Sequence, residues 1–288
     1  MQLADKGQNI SKTEESRNVT WMNNTVCFEI FKACVEAIHN GELIRQENRK
    51  DKEFHFQNWC QKRLETVGVH FEGTGRNIYP DFCLVESPEG YEIKGLAFPG
   101  RDKDYDANSN VPTGLHNGRT IFYIFGRYPN DTAPYIKDSF AEYPVIDLVI
   151  CHGDFLNAQH DYVHKNRHIK SFGSYGDIMI RDRKMYVVPT PFALTQGTTG
   201  LSTLILPDTY NVPDDFICVG TLCRTESEKI IVGYSFNLTT NEMKAEMADN
   251  PKAGLKHYFK AYRCRGQSTK PVTMSKDVIN FEDADEHE

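Results

Sequence analysis

Apolar residues recur every three or four positions over residues 22 to about 39. Val26, Ile30, Phe31, Cys34, Val35 and Ile38 fall on one side of a helical wheel there, and Gly41 follows as a stop. The spacing predicts an amphipathic helix. After a charged connector a second helical pattern runs from about Lys52 to Val67, with Phe56, Cys60, Leu64 and Val67 on one face and Gly68 just past its end. The period then changes. Short apolar runs at 69–71, 80–85 and 91–97 predict strands, and the last two are joined by Glu86-Ser87-Pro88-Glu89-Gly90, whose Pro and Gly make a hairpin turn. Residues 120–125 and 145–151 are almost continuously apolar, as in strands covered on both faces. The intervening segment 98–117 is rich in Gly, Pro, Asp and Asn, and a loop of that length is usually functional or mobile. In the second half, hairpins are expected over 177–188 and over 216–237, the latter turning at Thr225-Glu226-Ser227-Glu228. Residues 251–276 are basic, and Lys252, Lys256, Lys260 and Arg263 would share a helix face. Together these elements predict an α/β fold, a mixed central sheet flanked by helices with additional β-hairpins in the C-terminal half.

Composition narrows the class. The 288 residues are 39% hydrophobic, enough to bury one large core, and no apolar run approaches the length of a membrane span. The N-terminus carries neither an apolar leader core nor an Arg-rich amphipathic pattern, so a cytoplasmic protein with no membrane partner is expected. Eight scattered cysteines without CxxC spacing read as reduced, partly buried thiols. The net charge of −7 looks unsuited to a nucleic-acid partner, but six of the acids lie in the last twelve residues and the remainder is nearly neutral. Residues 1–18 read as a flexible arm, 19–276 as a single domain with a core over about 22–152 and elaborations over about 153–276, and 277–288 as an acidic tail.

One spacing carries chemistry. Pro80-Asp81 is followed after ten residues by Glu92-Ile93-Lys94. In a hairpin Glu92 and Lys94 project from one face, and Asp81 at the start of the preceding strand converges on it. Two carboxylates with the Ile93 carbonyl and water suit an octahedral Mg²⁺ site. Such an ion polarises a phosphodiester and acidifies a bound water, while Lys94 would orient that water and offset charge on a phosphoryl oxygen. The apolar surroundings Phe82, Leu84, Val85, Ile93, Leu96 and Ala97 weigh against a plain solvated Glu-x-Lys pair, since buried charges are costly unless they bind something.

Over residues 52–128 this pattern resembles the Pro-Asp…Asp/Glu-X-Lys nucleases, especially the type II restriction endonucleases. The preceding helix supports the likeness: Phe56, Gln57, Cys60, Leu64 and Gly68 follow the family's F-E-xx-V-xxx-L-xxx-G spacing, with Gln57 where a metal-contacting glutamate is usual and Glu53 one turn earlier. The resemblance implies a restriction-endonuclease-like fold, catalytic Asp81, Glu92, Lys94 and Gln57, and a metal held by Asp81, Glu92 and Ile93. It also implies Mg²⁺-dependent hydrolysis of double-stranded DNA leaving 5′-phosphates, with Mn²⁺ able to substitute. A homodimer is expected, because two-fold symmetry matches a palindromic duplex. A repair or nicking nuclease on the same core, and a non-catalytic DNA-binding protein, are the alternatives.

DNA-binding candidates are Lys252, Lys256, Lys260, Arg263 and Arg265, with Tyr258, Phe259 and Tyr262 interleaved, and His116, Asn117 and Arg119 at the entry to the strand after the motif. His160, His164 and His168 fall four apart with Cys151-His152 upstream, but Lys165, Arg167 and Lys170 among them suit a phosphate-facing or solvated surface better than zinc. Asp104-Tyr105-Asp106 reads as loop charge. No P-loop, GxGxxG, GxSxG or HExxH occurs, so no nucleotide cofactor is expected.

Overall fold

The computed structural model describes residues 25–46, 52–73, 79–100, 103–107, 111–137, 140–160, 172–181, 185–240 and 242–276. The N-terminal arm, the acidic tail, His164 and His168 lie outside these residues. Helix α1 (Cys27–His39) buries Cys27, Phe28, Ile30, Phe31, Cys34 and Ala37 at helical spacing. Gly41, at φ 71°, lets the chain turn away after it. Strand β1 (Ile44–Arg45) leads to α2 (Lys52–Val67), whose bounds are those the apolar period predicts. Then come β2 (Phe71–Gly73), β3 (Phe82–Leu84), β4 (Glu89–Phe98), β5 (Asp104–Asp106), β6 (Leu115–His116), β7 (Arg119–Pro129), β8 (Ile136–Lys137), β9 (Phe140–Tyr143) and β10 (Asp147–His152). The second half holds β11 (Met179–Arg181), β12 (Met185–Pro189), the short helix α3 (Pro191–Leu194), β13 (Thr195–Gln196), β14 (Ser202–Pro207), β15 (Phe216–Thr225), β16 (Lys229–Asn237), β17 (Glu242–Asp249), β18 (Lys256–Cys264) and β19 (Thr273–Met274).

The fold is α/β, with few helices among the described residues. Its centre is a sheet of order β15-β18-β14-β10-β7-β4-β3-β2, with β6 added on β7. Pairs β4/β7 and β10/β14 are parallel and the others antiparallel, so the sheet is mixed. Strand alternation divides the core. Tyr91, Ile93, Phe122, Ile124, Leu148, Ile150 and Leu204 face α1 and α2, whereas Leu96, Tyr123, Phe125, Val149, Cys151 and Ile205 face a second cluster that includes Tyr105, Tyr186 and Val188 of the small sheet β11-β12-β5. Helix α2 lies close because Gly95 and Gly126 lack side chains; Phe56 fills the space above both.

The hairpin over β11 and β12 forms as expected. Two expectations fail. Strands β15 and β16 do not pair with each other: β15 joins β18, and β16 joins β17. The connection between them is fastened elsewhere. Glu226 is buried and accepts from Asn250 Nδ2 at 2.9 Å and pairs with His257 Nε2 at 2.8 Å, while Ser227 N–H donates to Ser174 O at 2.8 Å. The ribbon β16–β17 is therefore an excursion between two strands of the main sheet. Nor is the basic run a helix. Residues 256–264 form β18, hydrogen-bonded on both edges between β15 and β14, and two ladders outweigh an ambiguous helical period. All eight cysteines are free.

Candidate metal and catalytic site

Register brings Asp81 to the motif strand. Phe82 stands opposite Tyr91 and Cys83 opposite Gly90, so one step further along the ladder Asp81 stands opposite Glu92, on the same face. A Cβ at Gly90 would lie 2.6 Å from Pro80 Cγ and 2.9 Å from Ile121 Cδ1, which is why Pro80 can rest on this strand. The ladder ends there, and the Asp81 carboxylate takes its place by accepting the Ile93 N–H at 2.7 Å. Because N–H and C=O of one extended residue project to the same edge, the Ile93 carbonyl faces the Asp81 side.

Glu92 and Lys94 are joined through Oε1 and Nζ at 2.6 Å, and both remain partly open to solvent. Tyrosines surround them. Tyr123 is the β7 register partner of Glu92, its hydroxyl is 2.7 Å from that of Tyr79, and the His116 ring stands edge-on to Tyr79 with centroids 4.9 Å apart. Lys94 Nζ lies 5.7 Å from the Tyr105 ring centroid, and the buried Tyr105 hydroxyl has no hydrogen-bond partner among the described residues. These tyrosines were not singled out from the sequence. Their signals were faint: Tyr79 precedes Pro80-Asp81, and Tyr105 sits in the Asp-Tyr-Asp segment, which is a strand and not a charged loop.

Burial, reinforced by the negative Glu92, pushes Asp81 up from the usual carboxylate range to about 7. Two carboxylates that oppose each other's charge beside a strand-edge carbonyl form a hard, all-oxygen donor set, and a divalent cation would relieve their repulsion. Among the described residues no three His, Cys, Asp or Glu side chains converge on a metal-sized site. A cation held here would therefore have Asp81, Glu92 and the Ile93 carbonyl as its protein ligands and complete its shell with water.

The other candidates separate. Gln57 is half-buried on α2, one turn before Cys60, a thiol raised chiefly by burial and also affected by the Asp81 charge. The helix covers the sheet face opposite to Glu92 and Lys94, so Gln57 is not brought to the Glu92–Lys94 face. The Glu53 side chain lies outside the described residues. Arg119 serves the hairpin: its Nη1 donates to Leu84 O at 2.7 Å and Ser87 O at 3.1 Å. Asn117 and Gly118, at φ 49° and 75°, form the two-residue turn between β6 and β7, with Asn117 exposed at its tip.

The basic run is divided. Arg263 is fully buried and donates to Ser268 O, Lys270 O and Gly197 O at 2.8, 2.6 and 2.8 Å, so it is a structural cation and not a DNA contact. Lys256 and Lys260 share a strand face with the exposed Tyr258, but Lys260 is the register partner of Leu206, which faces the helices. Their row is on the side of the sheet opposite to Glu92 and Lys94. Lys252 lies in the preceding turn, and Arg265 donates through Nε to Asp214 O.

His160 pairs with Asp154 through Nε2 and Oδ1 at 2.6 Å. Cys151 and His152 point to opposite faces of β10, so they cannot join one metal site with it. Comparison of the chain with family models, curated proteins and solved structures finds no match, and the reading of this site rests on its own residues.

Proposed function

We propose that this chain is a type II restriction endonuclease with a restriction-endonuclease-like core, hydrolysing phosphodiesters of double-stranded DNA with Mg²⁺. The observation that carries the reading is the convergence of Asp81 on Glu92, with Asp81 pushed up to about 7 by burial and by its neighbour, next to Lys94 on the same strand face. Repelling carboxylates beside an ammonium are expensive to keep together, and such sites are characteristic of chemistry rather than packing.

Bound Mg²⁺ would supply Lewis-acid polarisation of a phosphoryl oxygen and a more acidic water. Asp81, fixed by the Ile93 N–H, and Glu92 would hold the ion. Lys94, now satisfied by Glu92, turns its protons to a non-bridging phosphoryl oxygen and to the attacking water once that carboxylate is engaged. The Tyr79–Tyr123 hydroxyl pair keeps the Tyr79-Pro80-Asp81 segment against β7.

Plasmid and phage DNA incubated with the purified protein and Mg²⁺ test this directly. A discrete ladder is expected, and it should vanish in Asp81→Ala and Glu92→Ala while Ca²⁺ still supports specific binding. Nicked circles from a monomer would favour a repair or nicking nuclease, a smear would mean a non-specific one, and binding without cleavage would leave a DNA-binding protein.

A further inference from the structure

The ladder that brings Asp81 to Glu92 is short. It has two rungs, Phe82 with Tyr91 and Cys83 with Gly90, and the same register would set Leu84 opposite Glu89 at the turn and Asp81 opposite Glu92 at the site. Neither of these outer rungs is a ladder pair. At the site end the Asp81 carboxylate accepts the Ile93 N–H at 2.7 Å. At the turn end a guanidinium stands in for the rung: Arg119 Nη1 donates to Leu84 O at 2.7 Å, to Ser87 O at 3.1 Å and to Glu89 O at 3.4 Å. One half-buried side chain thus spans both arms of the hairpin and ties them to the start of β7.

The other ties printed on this turn do not bridge the arms to each other. Val85 N–H donates to His70 O at 2.9 Å and Thr120 N–H to Pro88 O at 2.8 Å, each holding one side of the turn, and the His70–Glu86 pair is exposed and therefore weak. With only two rungs between them, freedom at the turn reaches Asp81 directly. We propose that Arg119 is a positioning residue for the Asp81–Glu92 site, clamping the turn so that the Asp81 carboxylate stays on the Ile93 N–H and within reach of a cation shared with Glu92. The effect of Arg119 on a metal rests on the nuclease reading above; its effect on Asp81 does not.

Amide hydrogen exchange, followed by NMR in the full metal-free chain, tests the clamp, because successive N–H groups of a strand face opposite neighbours. The Ile93 N–H faces Asp81, whereas those of Glu92 and Lys94 face β7, where Tyr123 and Phe125 are their register partners. Arg119→Met keeps an apolar stem and removes the donors. It should speed exchange at Ile93 about tenfold, towards the rate in Asp81→Ala, and leave Glu92 and Lys94 unchanged. Arg119→Lys keeps the charge without the fork that spans two arms, and should show the same selective loss at smaller size. Calorimetry should find Mg²⁺ bound about tenfold more weakly by Arg119→Met, as when a group that orients a metal ligand is lost. Ile93 exchange unchanged in both variants overturns the inference, as do all three amides accelerated alike or a wild-type Mg²⁺ affinity that Arg119→Met retains. A wild type that binds no Mg²⁺ while the selective loss is seen overturns the metal reading and leaves the clamp on Asp81 standing.

Discussion

At Asp81 burial and the Glu92 charge act in the same direction, holding the carboxyl in its protonated form until about pH 7. A group whose folded-state pKa lies above its unfolded value of 3.8 stabilises the fold fully below that value, and the contribution is lost as pH rises through about 7. The metal-free protein should therefore melt lower at pH 8 than this residue alone would allow at pH 5. Asp81→Asn cannot ionise, so its melting temperature should exceed that of the wild type at pH 8, with the gap closing towards pH 4. Each 1 kcal/mol is worth about 2–4 °C in a domain of this size. Saturating Mg²⁺ should raise the wild type and leave the variant unmoved, because a ligand that binds only the folded state stabilises it. A variant that gains nothing at high pH would show that Asp81 is ionised at neutrality. Lys94→Ala should cut the cleavage rate by orders of magnitude, a loss of about 3 kcal/mol in transition-state stabilisation, while Mg²⁺ binding measured by calorimetry persists. At this scale the motif residues were legible, since spacing alone set Asp81, Glu92 and Lys94 on one face. The Tyr105 hydroxyl, the Ile93 N–H bond and the internal use of Arg119 and Arg263 were not, because each depends on partners distant in the chain.

Helix α2 makes its closest approach to the sheet at Gly95 and Gly126, through the Phe56 ring. A Cβ on Gly126 would lie 2.2 Å from Phe56 Cζ and 2.4 Å from Cε2, and Phe56 is itself buried against Gly95. Gly126→Ala should accordingly destabilise the protein by about 1–3 kcal/mol through overpacking, lowering the denaturant midpoint at unchanged slope. An unaltered midpoint would mean that α2 can shift at no cost. The strands β7 and β10 are tied by a buried bidentate pair, Arg127 Nε to Asp147 Oδ1 at 2.8 Å and Nη2 to Oδ2 at 2.5 Å, with the Gly200 N–H on Asp147 at 3.0 Å. Asp147→Ala should cost about 3–5 kcal/mol in the same assay, because it strands a buried guanidinium. Elements with a strong apolar period, α1, α2, β7 and β10, were readable from the chain. Strand β18 was not: Lys256, Lys260 and Arg263 fit a helical wheel as well as a strand, and only the two flanking ladders decide between them.

Across the whole molecule the sheet separates the charges that a linear reading had grouped. Four strand spacings, about 19 Å at the usual interstrand distance, divide β18 from β4, and the Lys256–Lys260 row faces the helices while Glu92 and Lys94 face away from them. Lys256→Ala/Lys260→Ala should therefore leave the slope of log K against log salt within about one unit of the wild type. A fall of about two units would mean that DNA reaches around both faces and that these lysines track its backbone. The sequence by itself determined the α/β class, the two helices and their stops, the motif hairpin and the three residues at its heart. Those features follow from periodicity and local geometry, which neighbouring residues carry. Strand order, the partners of β15 and β16, the burial of Arg263 and the tyrosine enclosure of Glu92 and Lys94 were decided by the tertiary structure alone, because contacts between residues far apart in sequence are chosen by which surfaces can be buried together and not by any local pattern.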